Sequence, residues 1–230
     1  MIKNVFLDLD DTLFDFQRGE RKAIKATFDE LGIAHDDSTV ARYVEINLDC
    51  WRALERGEMN KEQVLVGRFE RLFDELNISA SPTEAQRIYE RLLSYEHDFI
   101  PGAVELLSDF EKSGKYRLFM ATNGIPEVQN PRIDAAGIRA YFEEIFISEE
   151  IGYAKPSKKY FELCFGRIEG FERKETVIVG DSLSSDILGG INSGIRTVHF
   201  NPKELPYEKI IPDYKIKSLG ELIPLLESIT

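Results

Sequence analysis

Asn4-Val5-Phe6-Leu7-Asp8-Leu9-Asp10-Asp11-Thr12 sets an unbroken apolar run against a sudden group of carboxylates. Four apolar or amide residues without polar alternation suit a strand covered on both faces. Asp8 and Asp10 stand two residues apart, so both leave the strand end on the same side. Working outward, similar short runs recur at residues 116–120, 145–147, 176–179 and 197–200. Beyond residue 101 they alternate with helical patterns. Pro101-Gly102 leads into Val104, Leu107 and Phe110, closed by Gly114; residues 158–167 repeat Phe161 and Phe165; residues 186–192 end at Ser193-Gly194. This alternation predicts an α/β fold with a doubly wound parallel sheet.

The stretch after Leu13 breaks the rhythm and is almost wholly helical to about His97. One predicted helix carries Ile24, Phe28 and Leu31 and stops at Gly32. A second carries Val40, Tyr43, Val44, Trp51 and Leu54 and stops at Gly57. A third follows Asn60 with Val64, Phe69 and Leu72. A fourth starts at Ser81-Pro82-Thr83-Glu84, with capping-box spacing and proline at its first position. The expected organisation is a core made of residues 1–14 and 98–230, with a helical cap at 15–97 inserted after the first strand.

The chain has 230 residues, 43% of them apolar and 30% charged, enough to bury a core without disulfides. Its net charge of −12 is spread along the chain, and no Lys/Arg-rich tract stands out, which argues against nucleic-acid binding. Cys50 and Cys164 have no companion at zinc-like spacing and read as reduced thiols of a cytoplasmic protein. The apolar run before Asp8 is too short for a signal peptide, and no stretch approaches the roughly 20 apolar residues of a membrane span.

Other strand ends carry polar punctuation too. Thr122-Asn123-Gly124 follows the second run, Lys155-Pro156 lies beyond the third, and Gly180-Asp181-Ser182 follows the fourth, with Asp186 further on. In open α/β sheets ligands bind beyond the carboxyl ends of the strands. Two carboxylates ~4 Å apart repel by about 4 kcal/mol at an effective dielectric of about 20. Gathering Asp8, Asp10, Asp181 and Asp186 at one edge therefore calls for a proton or a cation to offset the repulsion. Oxygen-only ligands point to Mg²⁺, and Lys155 adds a second positive charge; together they suit a phosphate dianion.

Asp8-x-Asp10-x-Thr12, Thr122, Lys155-Pro156 and Gly180-Asp181-x-x-x-x-Asp186, in that order, closely resemble the four motifs of the haloacid-dehalogenase-like (HAD) superfamily. The resemblance spans essentially the whole chain, and the helical insert resembles that superfamily's class I cap on a Rossmann-like core. It implies a role for each matching residue. Asp8 would attack phosphorus and carry an aspartyl-phosphate. Asp10 would protonate the leaving oxygen and then deprotonate the hydrolytic water. Thr122 and the Asn123 amide would hold phosphoryl oxygens, and Lys155 would neutralise charge. Asp8, the Asp10 backbone carbonyl and Asp181 would hold Mg²⁺, with Asp186 in the surrounding shell. Asp186 alternatively caps the following helix. Superfamily dehalogenases share the nucleophile but usually lack the second acid, so Asp10 favours phosphate esters.

Further segments look like bacterial pyrimidine-nucleotide 5′-nucleotidases: residues 8–16, Asn47-x-x-x-Trp51, Thr122-Asn123-Gly124, residues 148–156 and residues 180–190. The implied substrate is a nucleoside monophosphate. Asn47 lies at helical spacing from Tyr43 and Trp51, so it either contacts a base with Trp51 stacking or is a helix-edge amide beside a core Trp. Phe14 and Phe16 either line the cap entrance or simply pack. His35, His97 and His199 are scattered and read as structural or exposed. Pro131 departs from the pattern and predicts that the helix after Gly124 starts late or kinks. The expectation is a cytoplasmic Mg²⁺-dependent phosphomonoesterase, monomer or homodimer. The alternatives are a sugar-phosphate phosphatase or phosphoglucomutase, and, from another class, a receiver-like phosphate-accepting module, against which the insert and the Asp8/Asp10 pair argue.

Overall fold

The computed structural model describes residues 1–229. Six parallel strands form one sheet in the order β3-β2-β1-β4-β5-β6. They are β1 (Asn4–Leu7), β2 (Arg117–Thr122), β3 (Glu144–Ile147), β4 (Thr176–Gly180), β5 (Arg196–Phe200) and β6 (Tyr214–Ile216). The strand order changes direction at β1, with β2 on one side and β4 on the other, so Asp8 leaves the sheet at its switch point. Five strands fall where the apolar runs predict them. The sixth escaped prediction because it is a three-residue edge strand with exposed Lys215 at its centre.

The pleat distributes the strand side chains between two cores. Val5, Leu7, Met120, Val177 and Val179 join Leu107 and Phe110 on one face. Phe6, Phe119, Phe146 and Ile178 face Tyr160 and Phe161 on the other. Helices α5 (Ala103–Ser113) and α10 (Leu222–Ser228) cover the first face, and α8 (Lys158–Phe165) the second, the arrangement a doubly wound sheet requires.

Between β1 and α5 run α1 (Phe16–Glu30), α2 (Asp37–Glu55), α3 (Lys61–Leu76) and α4 (Pro82–Leu93). Their apolar faces meet in a third cluster around Phe28, Tyr43, Phe69, Leu72 and Tyr89. Each helix starts on a side chain that accepts an otherwise orphaned N–H: Asp15, Asp36, Asn60 and Ser81. Ser81 caps α4 as its motif predicts, and a reciprocal box forms between Asn60 and Gln63. Cys50 and Cys164 are free and buried in separate clusters.

Helix α6 (Pro126–Ala135) corrects the expectation of a late start. It begins at Pro126, whose missing N–H costs nothing at the first position, and continues through Pro131. Helix α7 (Ser148–Ile151) follows β3, and a π turn, Leu183–Ile187, leads from the end of β4 into α9 (Leu188–Ser193).

Candidate active site

The carboxyl ends of β1, β2 and β4, with the loop after α7, bring Asp8, Thr122, Asp181 and Lys155 around one cavity of about 470 Å³. Asp8 is buried. Its Oδ1 accepts from Lys155 Nζ at 2.6 Å, and its Oδ2 lies 3.4 Å from the Thr12 hydroxyl. Lys155 Nζ also donates to Asp186 Oδ1 at 2.6 Å and to the Ala121 carbonyl at 2.7 Å. Asp8, Asp181 and Asp186 each offer an oxygen within 4.8 Å of the others. Three carboxylates thus face one ammonium.

The imbalance shows in the proton affinities. Burial, and then the charge of Asp186, push Asp8 up to about 8 against the pull of Lys155. Burial and the charge of Asp8 hold Asp181 well above the carboxylate range. Burial works against the charge on Lys155, but Asp186 and Asp8 outweigh it and move its pKa upward. A compact set of hard oxygen donors carrying uncompensated charge fits a small divalent cation.

Asp186 does not cap the following helix. No side chain caps α9; Ser182 instead caps the π turn before it, its hydroxyl accepting from Ser185 N at 3.1 Å, while Asp186 Oδ2 accepts from Ser182 N at 3.1 Å. A Cβ on Gly180 would overlap the Asp186 carboxylate, which explains the glycine in that motif. His199 is structural: it is buried, and its ring lies 2.8 Å from the Asp181 carbonyl and 3.0 Å from the Tyr207 hydroxyl.

Asp10 turns to a different set of partners. Its Oδ1 accepts from Arg132 Nη1 at 2.7 Å and its Oδ2 from Gln129 Nε2 at 2.8 Å. Gln129 Nε2 also donates to Thr122 Oγ1 at 2.8 Å, linking the two. Asn123 braces the lysine loop: its side chain accepts from Lys155 N at 2.8 Å and donates to the Lys155 carbonyl at 2.9 Å. Its side-chain amide is therefore occupied by the Lys155 main chain.

The helical block lines the rest of the cavity. Trp51 is half-buried there beside Val44, Leu48 and Leu65. Phe16 also lines it, whereas Phe14 is fully buried. Asn47 is buried too, but already paired: it donates to Glu20 Oε1 at 2.5 Å and accepts from Arg68 Nη1 at 2.7 Å. Burial pushes Glu20 up to about 7, against the Asn47 hydrogen bond. From the same block, Lys61 Nζ reaches the Gly124 carbonyl at 2.8 Å.

Sequence reasoning missed Glu20, Arg68, Gln129 and Arg132. Glu20 and Arg68 left a trace, since each lies four residues from apolar core positions: Ile24 for Glu20, Val64 and Leu72 for Arg68. Gln129 and Arg132 share a helix face at i and i+3, but the proline between them drew attention away.

Comparison with known proteins agrees with this fold. The HAD-hydrolase YfnB of Bacillus subtilis is 36% identical over 225 residues, covering 97% of this chain and 95% of that protein. Its crystal structure, described as bound to magnesium, superposes with a TM-score of 0.93 over 98% of both chains. The pyrimidine 5′-nucleotidases PynA of Streptococcus pneumoniae and YjjG of Escherichia coli are each 33% identical, covering 98% and 96% of this chain and 95% and 96% of their own lengths. Residues 2–194 match the family described as haloacid dehalogenase-like hydrolase. With its four strand-end motifs gathered at one sheet edge, this chain belongs to the haloacid dehalogenase-like hydrolases.

Proposed function

We propose that the protein is a Mg²⁺-dependent phosphomonoesterase that works through an aspartyl-phosphate on Asp8 and takes nucleoside 5′-monophosphates, pyrimidine ones foremost. The observation that carries this reading is the separation of two neighbouring carboxylates: Asp8 on Lys155 inside the acidic cluster, Asp10 on Arg132 beside it. A nucleophile and a separate acid are what transfer of a phosphoryl group from an alkoxide requires. An Asp8 oxygen bonds to phosphorus as the ester P–O bond breaks, and Asp10, which enters the cycle protonated, delivers that proton to the departing oxygen and becomes a carboxylate. Asp10 then takes a proton from water, whose oxygen bonds to phosphorus as the acyl-phosphate bond opens. Inorganic phosphate leaves, Asp8 is again a carboxylate and Asp10 again carries its proton.

Thr122 and the Asn123 main chain hold phosphoryl oxygens, and Lys155 balances their charge. Asp8, Asp181 and the Asp10 main-chain carbonyl would hold Mg²⁺, with Asp186 beside them. The cation supplies electrostatic stabilisation of the transferring group, the main term in phosphoryl transfer. Residues 15–97 act as the cap, closing over the substrate and keeping water out. The names of PynA and YjjG support the nucleotide assignment. So does a cavity whose lining joins the acidic cluster and Lys155 with a half-buried Trp51.

Phosphate release across nucleoside monophosphates, sugar phosphates and short organic phosphates, with Mg²⁺ and with EDTA, tests this. Metal-dependent preference for UMP, dUMP or dTMP is expected. Preference for sugar phosphates would replace the substrate assignment, and inertness toward every ester would overturn the phosphatase reading.

A further inference from the structure

Arg132 is among the largest fully buried side chains of the described residues, and it pairs with Asp10. Taking a guanidinium out of water costs several kcal/mol unless its surroundings answer the charge. Here they do so in detail. Nη1 donates to Asp10 Oδ1 and to Gln129 Oε1, both at 2.7 Å, and Nε donates to the Glu96 carbonyl at 2.6 Å. The rings of Phe14 and Phe16 lie 5.1 and 5.9 Å from the guanidinium carbon. The group is thus fixed by the segments that lead into α1 and out of α4.

Gln129 completes the arrangement. Its Oε1 faces the guanidinium and its Nε2 faces both Asp10 Oδ2 and Thr122 Oγ1. A flipped amide would set Oε1 against the carboxylate, so the network admits one orientation. The space for this amide comes from Gly124, where a Cβ would overlap the Gln129 side chain. Gly124 does not have positive φ, so room rather than backbone freedom accounts for glycine there.

We infer that Arg132 and Gln129 are positioning residues for the proton-transfer step. Between them they grip both oxygens of Asp10 and hold that carboxylate beside the phosphoryl site marked by Thr122. The inference rests on the reading of Asp10 as acid and base. Proton delivery matters most when the leaving oxygen is a poor leaving group and least when it is an aryl oxide. A positioning role therefore predicts a substrate-dependent defect that loss of packing alone would not produce.

The experiment compares kcat/KM, which reports the step in which the leaving group departs, for an alkyl phosphate and for p-nitrophenyl phosphate. In Arg132→Met the alkyl ester is expected to lose at least about tenfold more than the aryl ester, part of the ~10²–10⁴-fold that a general acid contributes. Gln129→Met, which leaves the guanidinium in place, is expected to show the same split at smaller size. It keeps the test available if Arg132→Met does not fold. Equal losses on both esters, or no loss on either, in variants with native circular dichroism would overturn the positioning role. Wild-type protein inert toward both esters would instead overturn the phosphatase reading and this inference with it.

Discussion

Single residues in this protein are defined by who shares their charge. Asp8 and Asp10 are two positions apart, yet one is paired with a buried ammonium and the other with a buried guanidinium. The carboxylates themselves were legible in the sequence, because chemistry at a strand end needs those residue types. Their partners were not, since Arg132 lies 122 residues from Asp10 and only the packed fold brings them together. Glu20 offers a test at this scale. Its pKa rises from 4.5 to about 7 in the folded state, because burial disfavours the carboxylate. The folded chain then binds more protons than the unfolded one between those values, so this residue makes stability fall as pH rises through that window and level off above it. Glu20→Gln keeps an oxygen for Asn47 and removes the titration. Denaturant unfolding at pH 4.5 and pH 7.5 is expected to show the variant gaining on wild type by up to about 3 kcal/mol. A constant difference between the two pH values would contradict the assigned burial.

At the scale of elements, strands were read well because those covered on both faces are apolar along their length. β6 was missed because an edge strand of three residues carries no such run. The four helices between β1 and α5 were legible from their apolar periodicity, and α4 also from its Ser81 cap. Helix α6 was expected but its start was not, because the interior Pro131 outweighed Pro126 at its first position. The junction of β4 with the π turn shows how an element end is tuned to chemistry. The Asp186 carboxylate folds back over Gly180 to reach Lys155 and the Ser182 N–H. Gly180→Ala is expected to force that carboxylate aside, lowering stability by about 1–3 kcal/mol as overpacking does. The denaturant midpoint with and without Mg²⁺ checks it; a wild-type midpoint under both conditions would mean that the turn yields freely.

Across the whole molecule, two kinds of packing meet at the cavity. Helices on both faces of the sheet hold the strand ends, and with them the acidic cluster, in fixed register. The four-helix block has its own core and presents Trp51, Asn47 and Glu20 to the same space. No described helix is long and apolar enough to cross a membrane. The proposed function puts the chemistry at the sheet edge and selectivity in the helices, and its central claim is tested at Asp8. The direct measurement is an acid quench during turnover of a nucleoside monophosphate carrying radiolabelled phosphate, followed by peptide mapping. A hydroxylamine-labile label on the peptide containing Asp8, absent from Asp8→Asn, is predicted. Turnover with the label on another residue, or undiminished turnover by Asp8→Asn, would contradict it.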